Sequence, residues 1–259
     1  MVEPQSKIAV DGLAKSFGDN RVLEEVGFSL DEGDSLVLFG TSGSGKSLVL
    51  KCILGLIAPD AGSVQIDGEE TTHASGRAHT ALMDRIGMLF QYSGLFDSLP
   101  IWENVAFQLT HYRGMGRKEA REIAVAKLAA VGLKPETADL FPAEISGGMQ
   151  KRVGIARAIA IEPKILFLDE PTAGLDPIMS NRINELIIQA TEQLGATVIS
   201  ITSDMTSARQ ISNRMAMLHD GRIIWSGPTS QLDESGSPHV HQFVNQLAEG
   251  PIKMRVRAA

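Results

Sequence analysis

The chain has 259 residues, 43% of them hydrophobic and 21% charged, enough to bury the core of one large domain or two small ones. A net charge of −7 counts against a general nucleic-acid binder, and no nucleic-acid partner is expected. The single cysteine, Cys52, excludes an internal disulfide and fits a reducing compartment.

MVEPQSKIAV has no apolar run behind a basic start, so no signal peptide is expected. No uncharged stretch approaches the ~20 apolar residues of a spanning helix. In chain order, KIAVDGLAKSF and VLEEVGFSL read as strands, followed by the turn signal DEGD. SLVLFG reads as a buried strand that runs through a Gly/Ser loop into a helix, KSLVLKCILGLI. GSVQIDGEE suggests a hairpin turning at Asp67-Gly68. From Trp102 to Val131 the pattern turns helical, most clearly in RKEAREIAVAKLAAVG, which Gly132 stops.

Beyond Pro163, KILFLDEP and ATVISIT read as strands on either side of the helical IMSNRINELIIQATEQLG. RMAMLHDGRIIWSG reads as a second hairpin, at Asp220-Gly221. In HVHQFVNQLAEG, Val240, Phe243, Val244 and Leu247 share a helical face ahead of the basic KMRVR. That tail is read either as an arm onto a neighbouring subunit or as a helix on its own core. The strand–helix alternation predicts an α/β chain with a mainly parallel sheet and a helical insertion mid-chain.

The strongest motif is GTSGSGKS, residues Gly40, Thr41, Ser42, Gly43, Ser44, Gly45, Lys46 and Ser47, between a strand and a helix. Glycines there let backbone N–H groups curl around a phosphate, and the helix adds its positive N-terminal end. Lys46 offers a point charge to the β- and γ-phosphates, the Ser47 hydroxyl suits Mg²⁺, and Leu48 completes the predicted phosphate-binding set. ILFLDEP then ends a buried strand in Asp169 and Glu170, a pair that calls for a cation. Asp169 is placed to hold Mg²⁺, and Glu170 to polarise an attacking water. TVISIT delivers Ser203 and Asp204 to the same edge, where Ser203 is either a phosphate-facing group or a helix cap. In ISGGMQKR, Ser146 is an N-cap and Gly147-Gly148 bare the amides of a helix N-terminus. That end is either a second phosphate-binding surface or an ordinary cap.

With AGLD following, the joint order of these motifs resembles the ATP-binding-cassette (ABC) ATPases over residues 7–230. The resemblance implies a P-loop NTPase core with a mainly parallel sheet, an N-terminal antiparallel β-subdomain and an inserted α-helical subdomain. It places the ATPase domain at 7–236, the helical subdomain at about 92–160 and a tail at 237–259. It implies ATP and Mg²⁺ as cofactors. Ser146, Gly147 and Gly148 match the signature motif, Gln91 the Q-loop glutamine that meets Mg²⁺, and Asp176 the D-loop. Phe17 stands where an aromatic stacks on adenine, although a core aromatic reads the same way. At Ser203 the family carries a histidine, so that catalytic group does not carry over.

One copy of each motif implies a homodimer with two composite sites, closed by ATP and reopened by hydrolysis. The resemblance also implies a separate integral membrane permease, docked near FQYSGLFDSLPIWENVAFQL, and a peripheral position on the cytoplasmic face of the inner membrane. That stretch and HQFVNQLAEGPIKM look most like the ATPases of Mla-type, Mce-associated systems. These move phospholipids or other hydrophobic molecules and imply an Mce-type substrate-binding protein and a small cytoplasmic accessory subunit. Competing readings are a translation or DNA-repair ATPase of the superfamily and a low-turnover nucleotide-gated scaffold. The first usually carries two cassettes or a long coiled-coil insertion, and this chain shows neither.

Overall fold

The structure, a computed structural model, describes residues 6–253. Strands β1 (Ile8–Phe17) and β2 (Asn20–Leu30) form an antiparallel pair, and β3 (Ser35–Phe39) follows and leads into helix α1 (Lys46–Ile53). β4 (Ala61–Ile66) and β5 (Glu69–Glu70) form the predicted hairpin at Asp67-Gly68 and complete a sheet of order β2-β1-β4-β5. A short helix α2 (Gly76–Met83) precedes β6 (Ile86–Leu89). Helices α3 (Ile101–Val105), α4 (Phe107–His111), α5 (Arg117–Ala130) and α6 (Gly147–Ala158) come next, between β6 and β7 (Ile165–Asp169). The chain then runs through α7 (Pro177–Leu194), β8 (Thr197–Ile201), α8 (Met205–Ile211), the hairpin β9 (Arg214–His219) and β10 (Arg222–Pro228), and α9 (Pro238–Val244).

The second sheet has the order β10-β9-β3-β8-β7-β6, parallel except for β10. Its central strands, SLVLF, ILFLD and TVISI, are buried almost throughout, as expected of parallel strands covered on both faces. One face packs on the helices between β6 and β7 and on α7 and α8. The other packs on α1 and the first sheet, with Phe167 and Leu38 fully buried. Parallel pairing brings the C-terminal ends of β3, β6, β7 and β8 to one edge, with Asp169 beside Ile201 and Leu38 beside the same Ile201. That edge is where ligands bind in open α/β sheets.

Two sequence expectations need correction. The helix after the Gly/Ser loop stops at Ile53, because Gly55 takes a left-handed turn (φ 67°) that no helix can continue. The run from Trp102 to Val131 is three helices: Ala106 leaves helical geometry, and Tyr112 to Gly116, with Gly114 at φ 64°, separate α4 from α5.

The tail folds back on the chain itself. Val240 is fully buried, and Phe243 packs on Phe39 with ring centroids 5.6 Å apart. Buried Gln242 accepts from Ile252 N (2.7 Å) and donates to Ile252 O (3.1 Å), tying the end of the described chain to α9. Leu247 is left exposed on the predicted apolar face. The basic run beyond Lys253 lies outside the described residues. Val240→Ala should lower the unfolding free energy by about 2 kcal/mol in denaturant titration, through two lost methyl groups and the space they leave. Removal of residues 238–259 should lower the melting temperature; an unchanged melting curve would show that α9 adds nothing to the core.

Candidate functional site

The loop between β3 and α1 is shaped by glycines at two places. Gly40 has φ 146°, and a Cβ there would collide with the carbonyl of Leu218. Gly45 has φ 103° and caps α1 with no side-chain acceptor, so the first-turn amides of α1 face the cleft uncapped. Lys46, nearly buried, curls back and donates to the carbonyls of Gly40 (2.8 Å) and Thr41 (2.9 Å). Burial lowers its pKa, against the opposing pull of Glu170 and Asp169. These features fit an anion with several oxygens: an uncapped helix N-terminus and a cation held beside it.

A cleft of about 460 Å³ opens over this loop, lined by Ser42, Gly43, Gly45, Lys46, Ser47, Leu48, Gln91, Glu170 and Ser203, with Ala173 and Ile201. The four strand tips therefore converge as the sequence expects. Ser47 Oγ lies 3.5 Å from Asp169 Oδ1. Burial raises the Asp169 pKa, although Ser47 and nearby lysines pull it down. A divalent cation between hydroxyl and carboxylate would relieve that burial cost, so the donor set fits Mg²⁺.

Glu170 adopts a left-handed backbone (φ 48°), a conformation costing about 1 kcal/mol or more for a non-glycine residue. Its amide donates to Ile201 O (2.9 Å), and its carbonyl accepts from Lys151 Nζ (3.1 Å). Together they hold the turn that aims the carboxylate into the cleft. Ser203 meets that carboxylate twice, through its amide to Oε2 and its hydroxyl to Oε1, both at 3.4 Å. The cap reading of Ser203 fails, because Asp204 caps α8 by accepting from Thr206 N (3.0 Å).

Sequence reasoning missed Lys151 and Arg157. Lys151, buried, donates to the carbonyl of Gln91 as well as to Glu170. Arg157 donates to the carbonyls of Ser93 and Gly94 (2.6 Å to Gly94), and burial pulls its pKa down to about 10. The two cations pin the turn after β6, in which Ser93 has φ 63°. Gly154 between them lets Leu89 approach, since a Cβ there would lie 2.6 Å from it. The one local trace is that Lys151, Gly154 and Arg157 share a face of GGMQKRVGIARA, which places the two cations together without naming their partners.

Other predicted residues lie partly or wholly outside this cleft, with Ser42 and Gly43 shared between it and its neighbour. Thr41, Ser42, Gly43 and Ser44 line a neighbouring cavity of about 610 Å³ with Asn20, Arg21 and Val22, where the buried Ser44 hydroxyl has no partner. Phe17 lines neither cavity but is half exposed at the end of β1, with Lys15 Nζ 5.6 Å from its ring centroid. Ser146 accepts from Met149 N (3.3 Å), capping α6 above Gly147 and Gly148, and Asp176 accepts from Ile178 N and Met179 N (3.0 Å each), capping α7. None of these four lines the phosphate-loop cleft.

The ABC transporter family model matches residues 23–173. Over 247 residues the chain is 40% identical to the probable ribonucleotide transport ATP-binding protein mkl of Mycobacterium tuberculosis, covering 95% of this chain and 68% of that protein. It is 34% identical over 254 residues to the intermembrane phospholipid transport system ATP-binding protein MlaF of Haemophilus influenzae, covering 98% of this chain and 96% of MlaF. It superposes on the dimeric post-hydrolysis state of the ATP-binding cassette MJ0796 bound to ADP and Pi with a TM-score of 0.79. That match has 33% identity and covers 86% of this chain and 98% of the other. The likeness bears out the α/β cassette fold expected from sequence.

Arg157→Met leaves two carbonyls without their donor and should lower the unfolding free energy by about 2 kcal/mol. Amide exchange at Ser93, whose N–H donates to Phe90 O (2.8 Å), should quicken more than exchange in β8. Equal protection at Ser93 in Arg157→Met and in the unaltered chain would mean that the turn is held by its own backbone.

Proposed function

This chain belongs to the ABC transporter family of ATPases, and on that premise we propose that it powers the movement of phospholipid or another hydrophobic substrate through a separate membrane permease. The observation that carries the ATPase chemistry is the convergence of Lys46, Ser47, Gln91, Asp169 and Glu170 on one cleft at the tips of parallel strands. In this reading Lys46 leaves the Gly40 and Thr41 carbonyls for the terminal phosphates of ATP. Ser47, Asp169 and Gln91 would hold Mg²⁺, which when bound neutralises phosphate charge. Glu170 takes the proton of the attacking water or orients it, and Ser203 steadies the Glu170 carboxylate.

Phe17, exposed at the end of β1, serves as the adenine platform. Ser146, Gly147, Gly148 and Asp176 lie outside the cleft of their own chain, which supports a head-to-tail homodimer in which they complete the partner's site. The MJ0796 cassette is dimeric in its post-hydrolysis state, and the likeness to it supports the same arrangement. Among the described residues no helix is long and apolar enough to cross a membrane, and in this reading the permease is a separate chain. Phe90, Tyr92 and Phe96 are exposed around the turn after β6, and they supply an apolar face for such a partner on the cytoplasmic side of the inner membrane.

The lipid assignment draws support from the near full-length likeness to a phospholipid transport ATP-binding protein and from FQYSGLFDSLPIWENVAF. An Mce-type substrate-binding protein and a small accessory subunit belong to the same reading. The more similar mkl is named for ribonucleotide transport, so substrate identity needs a direct test. Purifying the complex around this chain and identifying co-purified molecules by mass spectrometry should return a multi-spanning permease with bound phospholipid. A complex free of lipid, whose ATPase responds only to a polar solute, would overturn it.

On chemistry, Glu170→Gln should keep ATP binding and lower steady-state hydrolysis by about a hundredfold or more, accumulating a closed dimer. Turnover near wild type would remove Glu170 from its role. Lys46→Ala should weaken ATP binding itself. Ser203→Ala should slow hydrolysis only several-fold, roughly one neutral hydrogen bond of ~1 kcal/mol. Complete loss of activity in that variant would make the serine essential.

A further inference from the structure

Behind the strand tips that carry Glu170 and Ser203 lies a buried polar cluster that the proposed chemistry leaves unused. Ser207, on α8, is its centre. Its hydroxyl donates to Asp204 Oδ2 at 2.6 Å. A hydroxyl has one proton, so its two remaining contacts are accepted: from Asn184 Nδ2 at 2.9 Å and from Thr172 Oγ1 at 3.3 Å. The node is saturated, and its directions are fixed. Asn184, on α7, donates its second amide proton to Gln210 Oε1 at 2.8 Å. Thr172, Asn184 and Ser207 are all buried, Asn184 and Ser207 to within 1% exposure.

The placement of the cluster matters more than its hydrogen-bond count. Thr172 stands two residues after Glu170, and Asp204 directly follows Ser203. The node therefore joins the β7 tip to the β8 tip and anchors both to a third element, α7. Stability alone does not account for it. Asn184 shares α7 with buried Ile183, Leu186 and Ile187, and an apolar residue would fill its place without an unpaired atom. Asn184 Oδ1 is buried with no partner among the described residues, a cost that Asn184 carries where Leu would not. Polar atoms kept at such a cost supply direction rather than cohesion.

We infer that Thr172, Asn184 and Ser207 are positioning residues, which hold the Glu170 carboxylate and Ser203 at the spacing that hydrolysis needs. The inference rests on the proposed role of Glu170 as the group that acts on water. The contacts between the two residues are long, 3.4 Å each, so Ser203 by itself holds the carboxylate loosely. The node restrains what those contacts cannot. Small displacements of a catalytic carboxylate act on the rate while leaving ground-state binding of the nucleotide intact.

The test is steady-state ATP hydrolysis by the full-length chain with Mg²⁺-ATP, comparing two variants of one residue. Thr172→Val keeps shape and removes the donor; Thr172→Ser keeps the donor and removes a methyl group. Thr172→Val should lower kcat by about tenfold with KM for ATP changed by less than about twofold, and Thr172→Ser should restore most of the rate. The opposite order, with valine tolerated and serine impaired, would show a packing role and overturn the inference. So would equal rates in both. Where Thr172→Val does not fold, Ser207→Ala gives the same readout from the node's centre.

In combination with Ser203→Ala, the loss should be smaller than the product of the single losses, because both changes release the same carboxylate. Independent, multiplying losses would overturn the shared-positioning account. Glu170→Gln, measured alongside, separates the two layers. Lost hydrolysis in Glu170→Gln with a normal Thr172→Val rate sinks the node alone. Retained hydrolysis in Glu170→Gln sinks the role of Glu170 itself.

Discussion

The site depends on one constraint: parallel strands must end on the same edge of their sheet. Once β3, β6, β7 and β8 are parallel, a phosphate loop, a turn bearing Gln91, an acidic pair and Ser203 arrive at one place. That convergence is electrostatically expensive. It gathers Asp169, Glu170, Lys46 and Lys151 where water is partly excluded, and burial disfavours the charged forms of Lys46, Lys151 and Asp169. The structure offsets this by giving each lysine carbonyl partners and leaving the carboxylates facing the open cleft. The cations are satisfied by the backbone. The acids suit a cation, and the uncapped N-terminus of α1 suits an anion.

Much of this was legible in the residues, for physical reasons that differ from part to part. The central strands are uninterrupted apolar runs, and a strand buried on both faces has to be spelled that way. The Gly40–Ser47 loop was legible because its glycines serve a backbone geometry no other residue reaches, as the Leu218 carbonyl over Gly40 shows. Short helices were less so. The α3–α4–α5 run reads as helical without its breaks because periodicity survives a single non-helical residue such as Ala106, and the segment α2 is too short to show a period. The tail gave a helical face that holds for Val240, Phe243 and Val244 but not for Leu247, which lies beyond α9, and it gave no address; Val240 and Phe243 turn out to pack on the chain's own core. An amphipathic stripe states that a face will be covered and not by what.

Buried cations were the least visible part. Lys151 and Arg157 look like ordinary polar positions on a helix, and their role rests on carbonyls sixty or so residues earlier in the chain. No local pattern encodes that partnership. Both interactions go to main-chain oxygens, so no complementary acid marks the other end. Ser203 differs in that its partner is the Glu170 side chain, thirty-three residues earlier, and the cap it was read as is supplied instead by Asp204.

Serine at this strand tip changes the electrostatics of the edge. The family's histidine at that position would titrate across roughly pH 5–8, adding or withdrawing a charge beside Glu170. Ser203 cannot ionise there, so the edge keeps the two lysines and two carboxylates as its charge set. What serine gives up in reach it recovers in contact with the carboxylate, through both its amide and its hydroxyl. Three features of the backbone hold Glu170 in place: its left-handed turn, the Lys151 anchor on its carbonyl and the amide bond to Ile201. A site that lacks a mobile cationic residue has to rely on a rigid carboxylate, and every contact around Glu170 in this chain serves that rigidity.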